Sequence, residues 1–239
     1  PQTGHAFAVG HHVGLAHHYA RKKATLTGQD PDKYFEPLEA VSRSAMANGG
    51  EEPMFLEYAA LAREVVSDYI AHWQFETWEP LYVEQQFRSH VTDDEGNRHL
   101  YTQRADLIIR DPATGKIYVV DHKTTGRITT KTVRRYTLSG QFLGFQVLGK
   151  KAFGDSFGGL ILNMIQLPGK DPTTFKRPSM DPAPYGLRTL KQTLLHAEGT
   201  IKRYQHLKDP LDWPGVHHET ACWTPYGMCP FHETCQFGF

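Results

Sequence analysis

The spacing of apolar residues predicts several helices that flank a short run of strands. Between 55 and 74, apolar side chains recur every three or four positions, as expected for a helix that packs one face into a core. Further helices are predicted over 13–24, 132–151 and 187–207. The apolar stripe of the 55–74 helix consists of Phe55, Tyr58, Ala62, Val66, Tyr69 and Trp73.

Four shorter stretches have the residue content of β-strands and are bounded by turn residues. The polar segment 93–97 joins the first strand to the second, and the segment 111–115, with Pro early and Gly late, joins the second to the third. The first three strands are therefore predicted to form an antiparallel meander. The last strand is mainly apolar and is followed by a proline-rich loop over 168–184. The predicted strands are 81–91, 101–110, 116–121 and 160–167.

The turn at 111–115 brings two acidic residues together. A hairpin that folds symmetrically about this turn pairs Asp106 with Asp121, and such cross-strand partners lie about 4.5–5.5 Å apart at Cβ. A bulge at Gly115 would shift this register by one residue. Lys123 lies two residues beyond Asp121 and therefore on the same face of its strand.

Two carboxylates and a lysine at the end of a strand suit metal-assisted phosphodiester hydrolysis. The carboxylates of Asp106 and Asp121 would hold Mg²⁺ or Mn²⁺, which prefer oxygen ligands. The cation would lower the pKa of bound water and stabilise charge on the scissile phosphate, while Lys123 would orient the nucleophile or neutralise that charge. An acid-x-Lys sequence also occurs at solvated strand edges. The apolar run 117–120 favours a central strand, where a buried charge requires compensation, and hence the functional interpretation.

These motifs resemble, in order and spacing, those of the PD-(D/E)XK nuclease superfamily and of its RecB-like branch. Asp106 matches the first acidic motif, Asp121-His-Lys123 matches the acid-x-Lys motif, and Tyr136-x4-Gln141-x3-Phe145 is similar to the helical Gln-x-x-x-Tyr motif of that branch. Phe145 stands where the branch has Tyr. The resemblance covers about residues 8–165 and implies an α/β, restriction-endonuclease-like core of helix, three antiparallel strands, helix and strand.

The resemblance also implies roles for individual residues. Asp106 and Asp121 would bind the metal together with the main-chain carbonyl of His122, and Lys123 would serve the nucleophile. Gln141 would act in catalysis and contact the substrate. Further substrate contacts are assigned to Tyr136, Arg134 and Arg135.

Relatives of this branch carry a metal-binding histidine on an early helix. The best match to their signature is His12-x-x-Leu15, which makes His12 the expected ligand, with His11 and His17 as rivals. Glu84 could supply a further acid, although a solvent-facing strand position is favoured for it.

The charge balance does not by itself indicate a nucleic-acid-binding protein, because the formal net charge is zero. Two local basic stretches could still contact phosphate: 21–23, and the residues Arg127, Lys131, Arg134 and Arg135. A solvated helix face explains each of them equally well.

The three cysteines cluster near the end of the chain, and clustered thiols suggest a metal site. RecB-like relatives close a four-cysteine iron–sulfur cluster with three C-terminal cysteines and one ahead of the first helix, but the fourth cysteine has no counterpart in this sequence. A Zn²⁺ ion with a histidine as fourth ligand is the second interpretation, and buried thiols packed among aromatic rings are the third. The cysteines are Cys222, Cys229 and Cys235, the candidate histidines His217, His218 and His232, and the rings Trp223, Tyr226 and Phe231.

The expected organisation is a nuclease domain over 1–210, whose helical part spans about 1–78, with the tail 211–239 packed on it. No apolar run approaches 18 residues, so no membrane span is expected. The odd cysteine count and the lack of a signal peptide favour the cytoplasm of a bacterial or phage-infected cell.

The expected function is a metal-dependent exonuclease acting on single-stranded DNA or duplex ends in recombination, repair, or CRISPR or phage DNA processing. A helicase or recombination partner would supply any unwinding. The alternatives are a site-specific or structure-specific endonuclease and a non-catalytic DNA-binding subunit that retains the nuclease fold.

Overall fold

The computed structural model describes residues 2–49, 53–169, 172–180, 183–208, 223–224 and 227–228. The chain divides into two compact units, one formed by residues 2–191 and the other by residues 192–239 with residue 1. The first unit contains the sheet and the helices that flank it. The part of the second unit that is described consists of the end of a helix and a two-stranded ladder.

The helices are α1 (Gln2–Leu26), α2 (Pro37–Gly49), α3 (Pro53–His72), α4 (Thr130–Thr137), α5 (Gly140–Phe153) and α6 (Pro184–Tyr204), with 3₁₀ turns at Pro31–Lys33 and Gly154–Ser156. No helix of the described segments is long and apolar enough to cross a membrane. α1 begins at Gln2, well before its predicted start at Val13. A Cβ at Gly14 would lie 2.7 Å from Val41 of α2, so glycine allows the two helices to approach closely.

The strands are β1 (Glu79–Thr92), β2 (Arg98–Arg110), β3 (Ile117–Thr125), β4 (Phe157–Gln166), β5 (Thr174–Lys176), β6 (Ser179–Met180), β7 (Trp223–Thr224) and β8 (Gly227–Met228). The main sheet has the order β1-β2-β3-β4-β5, and β6 also pairs with β4. β1 to β3 form the predicted antiparallel meander, and β4 runs parallel to β3. The predicted α/β order of helix, three strands, helix and strand is therefore confirmed.

The proline-rich segment after β4 is more ordered than predicted. Instead of forming only a loop, it contributes β5 and β6, both antiparallel to β4. The prolines did not prevent strand pairing, because the paired residues, 174–176 and 179–180, contain none of them.

The hairpin between β2 and β3 adopts the predicted register. Leu107 pairs with Val120, and the N–H of Asp111 donates to the carbonyl of Lys116 at 2.9 Å, which closes the turn. Gly115 has a φ of +68°, a conformation that favours glycine, but it does not shift the register.

Apolar clusters lie on both faces of the sheet. On one face α1, α2 and α3 cover Leu107, Ile109 and Val120. On the other face α5 covers Ile108, Val119, Leu162 and Met164 with Phe142 and Phe145. The sheet is thus buried on both sides, as expected for a strand with the long apolar run of β3.

The single helix predicted over 132–151 is wrong, because two helices occupy this segment. α4 ends at Thr137, and α5 begins at Gly140 with Ser139 as its N-cap, whose side chain accepts the N–H of Phe142. A serine that caps a new helix competes with continuation of the previous one. Tyr136 and Gln141 consequently lie on different helices.

Candidate active site

The site begins where β2 and β3 stop pairing with each other. Their ladder ends at Leu107 and Val120, and the next residues in that register are Asp106 and Asp121. The N–H of His122 donates to Oδ2 of Asp106 at 2.7 Å instead of to a main-chain carbonyl. The side chain of Asp106 therefore spans the opening between the strands and satisfies a buried donor there.

Asp121 is almost completely buried, with 1% of its surface exposed. Its Oδ1 accepts a hydrogen bond from Nε2 of Gln141 at 2.9 Å, and its Oδ2 forms an ion pair with Nζ of Lys123. The helix break at Ser139 contributes to this contact, since it places Gln141 in the first turn of α5. The acid, the lysine and the glutamine of the sequence motifs are thus in direct contact.

His12 and Glu84 complete the group. His12 Nδ1 lies 3.7 Å from Oδ2 of Asp106, and one ligand atom from each of His12, Glu84 and Asp106 lies within 4.8 Å of the others. This spacing and the donor set of carboxylate oxygens and an imidazole nitrogen fit a divalent cation such as Mg²⁺ or Mn²⁺.

Glu84 has an unusual main-chain conformation. Its φ of +51° is the one positive value at a described residue other than glycine, and for a glutamate this conformation is strained. Its neighbours Val83 and Gln85 pair with Leu107 and Ala105, so Glu84 lies opposite Asp106. Its carboxylate also forms an ion pair with Arg104 at 3.1 Å. The strain accompanies the placement of a third carboxylate at the site.

Burial raises the pKa of both central carboxyl groups. The charge of Asp106 raises the pKa of Asp121 further, and Lys123 opposes both increases. The pKa of Glu84 is also raised, first by burial. Each raised pKa means that the charged form of the carboxyl group is destabilised at this buried position. A bound cation would stabilise these charged forms beyond what the chain itself provides.

His12 is neutral at physiological pH. Burial, followed by the nearby charge of Lys123, lowers its pKa from 6.5 to about 4. A neutral imidazole has a free lone pair on one nitrogen, which is the form that binds metal ions. The imidazole of His12 is therefore in the protonation state that a metal ligand requires.

A family model of the PD-(D/E)XK nuclease superfamily matches residues 8–236. The chain belongs to this superfamily. Its members are metal-dependent nucleases, and DNA is the substrate that membership implies. No curated protein sequence matches the chain significantly.

The structure brings together most of the residues that the sequence singled out. Asp106, Asp121, Lys123, Gln141 and His12 all come together at the end of the β2–β3 ladder. Among the described residues, neither rival histidine belongs to the set of ligand atoms that includes His12, although the ring of His11 lies 4.4 Å from that of His12.

Among those rivals, His11 is completely buried, and the ring of His17 stacks against Phe35 at 5.5 Å. Tyr136 packs against the ring of Phe142 at 5.6 Å, and Phe145 is buried in the same apolar cluster.

A solvent-facing position was expected for Glu84, whereas the structure places it half-buried beside His12 and Asp106. The signal was present in the turn 93–97, where the N–H of Asp93 donates to the carbonyl of Asn97. A hairpin symmetric about Glu95 pairs Glu84 with Asp106, by the same reasoning that pairs Asp106 with Asp121. The same reasoning, applied to both turns of this PD-(D/E)XK chain, places Glu84, Asp106 and Asp121 side by side on three neighbouring strands.

The two basic stretches differ in their partners. Arg21 forms ion pairs with Asp32 and Glu36 and donates to the main chain of Pro31 and Tyr34, so it fixes the turn after α1. The second stretch lies on and before α4, directly after β3. Its four members are exposed and form no ion pair within the described residues: Arg127, Lys131, Arg134 and Arg135.

The sequence around α4 explains this difference. Between Asp121 and Asp155 the chain contains no acidic residue, so no acid lies close in sequence to the basic side chains of α4. The tail cysteines Cys222, Cys229 and Cys235 lie outside the described residues.

Proposed function

We propose that this protein is a divalent-metal-dependent deoxyribonuclease of RecB-like type that removes nucleotides from DNA ends. The observation that carries the proposal is the contact of Asp106, Asp121, Lys123 and Gln141 at one buried position. Each of these residues alone is common in proteins. Their convergence, with His12 and Glu84 beside them, supports hydrolytic chemistry at this position.

In this proposal Asp106, Asp121 and His12 hold Mg²⁺ or Mn²⁺, together with the main-chain carbonyl of His122. Glu84 is a fourth side chain within reach of the same ion. When bound, the cation supplies the charge that activates water and stabilises the developing charge on phosphate.

Lys123 is proposed to act on the attacking water and on the scissile phosphate. Its ammonium group forms an ion pair with Asp121 and is about a quarter exposed, so it faces both the acid and the solvent. From this position Lys123 would donate a hydrogen bond to the nucleophile and neutralise charge on the phosphate.

Gln141 is proposed to orient Asp121 and to contact the substrate. Its side-chain amide donates to Asp121 Oδ1 and leaves its own carbonyl oxygen as an acceptor. It also lies in the first turn of α5, close in sequence to α4. This position suits a residue that links the carboxylate to the bound strand.

DNA is proposed to run along α4. Arg134 and Arg135 are exposed, and together with Arg127 and Lys131 they form a basic surface that begins just after β3. Phosphate contacts of this kind provide affinity without reading sequence. Such a surface suits an enzyme that processes DNA ends of any sequence in recombination, repair or phage DNA processing, with a helicase or recombination protein as the partner that unwinds duplexes.

The test is a cleavage assay on end-labelled linear DNA and on circular DNA, single- and double-stranded, with Mn²⁺, Mg²⁺ or EDTA. We expect metal-dependent loss of the linear substrates while circles remain intact. Cleavage of circles would instead identify an endonuclease. DNA binding without cleavage under either metal would identify a non-catalytic subunit and would contradict the proposal.

A further inference from the structure

The side chain of His122 lies in a buried polar network that reaches away from the proposed metal site. Its ring is 3% exposed and stacks on Tyr19 with centroids 6.1 Å apart and an interplanar angle of 13°. Its Nδ1 accepts a hydrogen bond from Nδ2 of Asn163 at 2.6 Å. These contacts fix the ring and, through it, the peptide groups on either side of His122.

Asn163 lies beside His122 on the neighbouring strand, because the two residues pair in the β3–β4 ladder. It is completely buried, and its amide is used at both ends. Nδ2 also donates to the hydroxyl of Tyr69 at 2.8 Å, and Oδ1 accepts from Nε of Arg177 at 3.2 Å. An asparagine with these partners has one stable orientation.

Arg177, in the link between β5 and β6, holds the far end of the network. Its guanidinium group lies 3.6 Å from the ring centroid of Trp73 and 3.9 Å from that of Trp78. It forms an ion pair with Glu76 at 2.7 Å and donates to the hydroxyls of Tyr19 and Tyr69. Helices α1 and α3 and strands β3 and β4 are thus joined through polar side chains.

The network matters because of what the main chain of His122 does. Its N–H holds Asp106, and its carbonyl is a proposed metal ligand. A ring free to change rotamer would let this peptide and the Asp106 carboxylate move together. Hydrogen-bonded partners behind a metal ligand commonly contribute 10–100-fold to metal affinity or activity.

We infer that Asn163, supported by Tyr69 and Arg177, is a positioning residue that holds the His122 peptide and Asp106 in the geometry needed for divalent metal. This inference rests on the proposed function for its metal readout. Asn163 does not touch the ion, so it acts through His122. Removing its amide should loosen the His122 peptide before any metal is added.

The experiment compares Asn163→Leu with the wild type and with Gln166→Leu as a matched control. Gln166 lies on the same strand, is also buried, and hydrogen-bonds Ile128 and Pro172 outside the network. Mn²⁺ affinity is measured by calorimetry, and exchange of the His122 amide hydrogen is followed by NMR in EDTA. We expect Asn163→Leu to weaken Mn²⁺ binding about tenfold and to speed His122 amide exchange, while Gln166→Leu changes neither.

Two results would overturn the inference. One is unchanged Mn²⁺ affinity in Asn163→Leu, and the other is an equal loss of affinity in both variants. If Asn163→Leu does not fold, Tyr69→Phe carries the test, since it keeps the ring and removes the hydroxyl that bonds Asn163, Arg177 and Tyr19, with an expected loss of about threefold.

Failure of the proposed function would give a different result. The wild type would then bind no Mn²⁺, even if Asn163→Leu sped up His122 exchange. If instead the wild type binds Mn²⁺, Asp121→Asn does not, and Asn163→Leu binds like the wild type, the function stands and the inference fails.

Discussion

The protein buries charged groups in two adjacent places that differ in whether the charges are matched. Around Arg177, the guanidinium meets Glu76, two tyrosine hydroxyls and two indole rings. Around Asp121, two carboxylates lie close together, Lys123 is the nearest cation, and the pKa values of both acids are raised. In the first cluster the buried guanidinium has a carboxylate partner, whereas in the second the two carboxylates share one lysine.

The same contrast occurs at the surface. Arg21 is matched by Asp32 and Glu36, whereas Arg134 and Arg135 form no ion pair with the part of the chain that the structure describes. Matched charges stabilise the fold, and unmatched charges are available for a ligand. Under the proposed function a divalent cation binds the carboxylates and DNA binds the arginines, and this contrast can be tested by substitution.

The largest expected effect is on cleavage by Asp121→Asn. The substitution removes the charge of the most buried acid while keeping its shape, so we expect activity to fall by on the order of 10³-fold, equivalent to about 4 kcal/mol. The measurement is the cleavage rate on end-labelled linear DNA with Mn²⁺. Circular dichroism should show an unchanged fold, and substantial remaining activity would remove Asp121 from the proposed site.

The next effect concerns the matched cluster, where Arg177→Met should destabilise the fold. The substitution keeps apolar contact with Trp73 and Trp78 but leaves Glu76 buried without its closest cation. Loss of one partner of a buried pair costs about 3 kcal/mol, measured by urea unfolding in EDTA. Lys22→Met is the control, because Lys22 is the more exposed partner of Glu76 and its loss should cost about 1 kcal/mol or less. Equal costs would mean that the position of Arg177 between the rings has no special importance.

Sequence alone could predict the unmatched cluster better than the matched one. Asp106, Asp121 and Lys123 follow from one turn and the alternation of a strand, because hairpin register is a local property. Arg177 lies in a proline-rich segment predicted to be a loop, and its partners Tyr19, Tyr69 and Glu76 lie more than 100 residues away. No periodicity connects them, so this network becomes apparent only in the folded chain.

The helix break before Gln141 has a similar explanation. The apolar pattern spans Val133 to Phe142, and the Ser139-Gly140 pair within it contains no proline that would mark a helix break. Only the cap contact between Ser139 and Phe142 reveals the new helix. The distinction between the two basic stretches was equally inaccessible, since Arg21 meets Glu36 through a turn that the sequence did not define.

A smaller effect is expected in the pH dependence of stability without metal. The folded-state pKa values of Asp106 and Asp121 lie near 6, above their ordinary value of 3.8. The native state therefore binds these protons more tightly than the unfolded state, and their contribution to stability is lost as pH rises from about 4 to about 6.

The measurement is urea unfolding of the wild type and Asp121→Asn in EDTA between about pH 4.5 and pH 7.5. We expect the asparagine variant to gain relative stability as pH rises, reaching about 1–2 kcal/mol above pH 6. Saturating Mn²⁺ should stabilise the wild type and not the variant. A difference independent of pH would show that the pKa of Asp121 is not raised in the folded protein.

The smallest effect concerns the unmatched arginines of α4. Replacing Arg134 and Arg135 together by alanine should weaken binding of single-stranded DNA in EDTA and reduce the slope of log K against log salt by about 1.4, since each phosphate contact contributes about 0.7. Fluorescence anisotropy over a range of salt concentrations provides the measurement. The control is the double alanine variant of Arg43 and Arg63, exposed arginines of α2 and α3 that contact Glu39 and Ser42. An equal change of slope in both variants would mean that DNA is attracted by overall charge and does not follow α4.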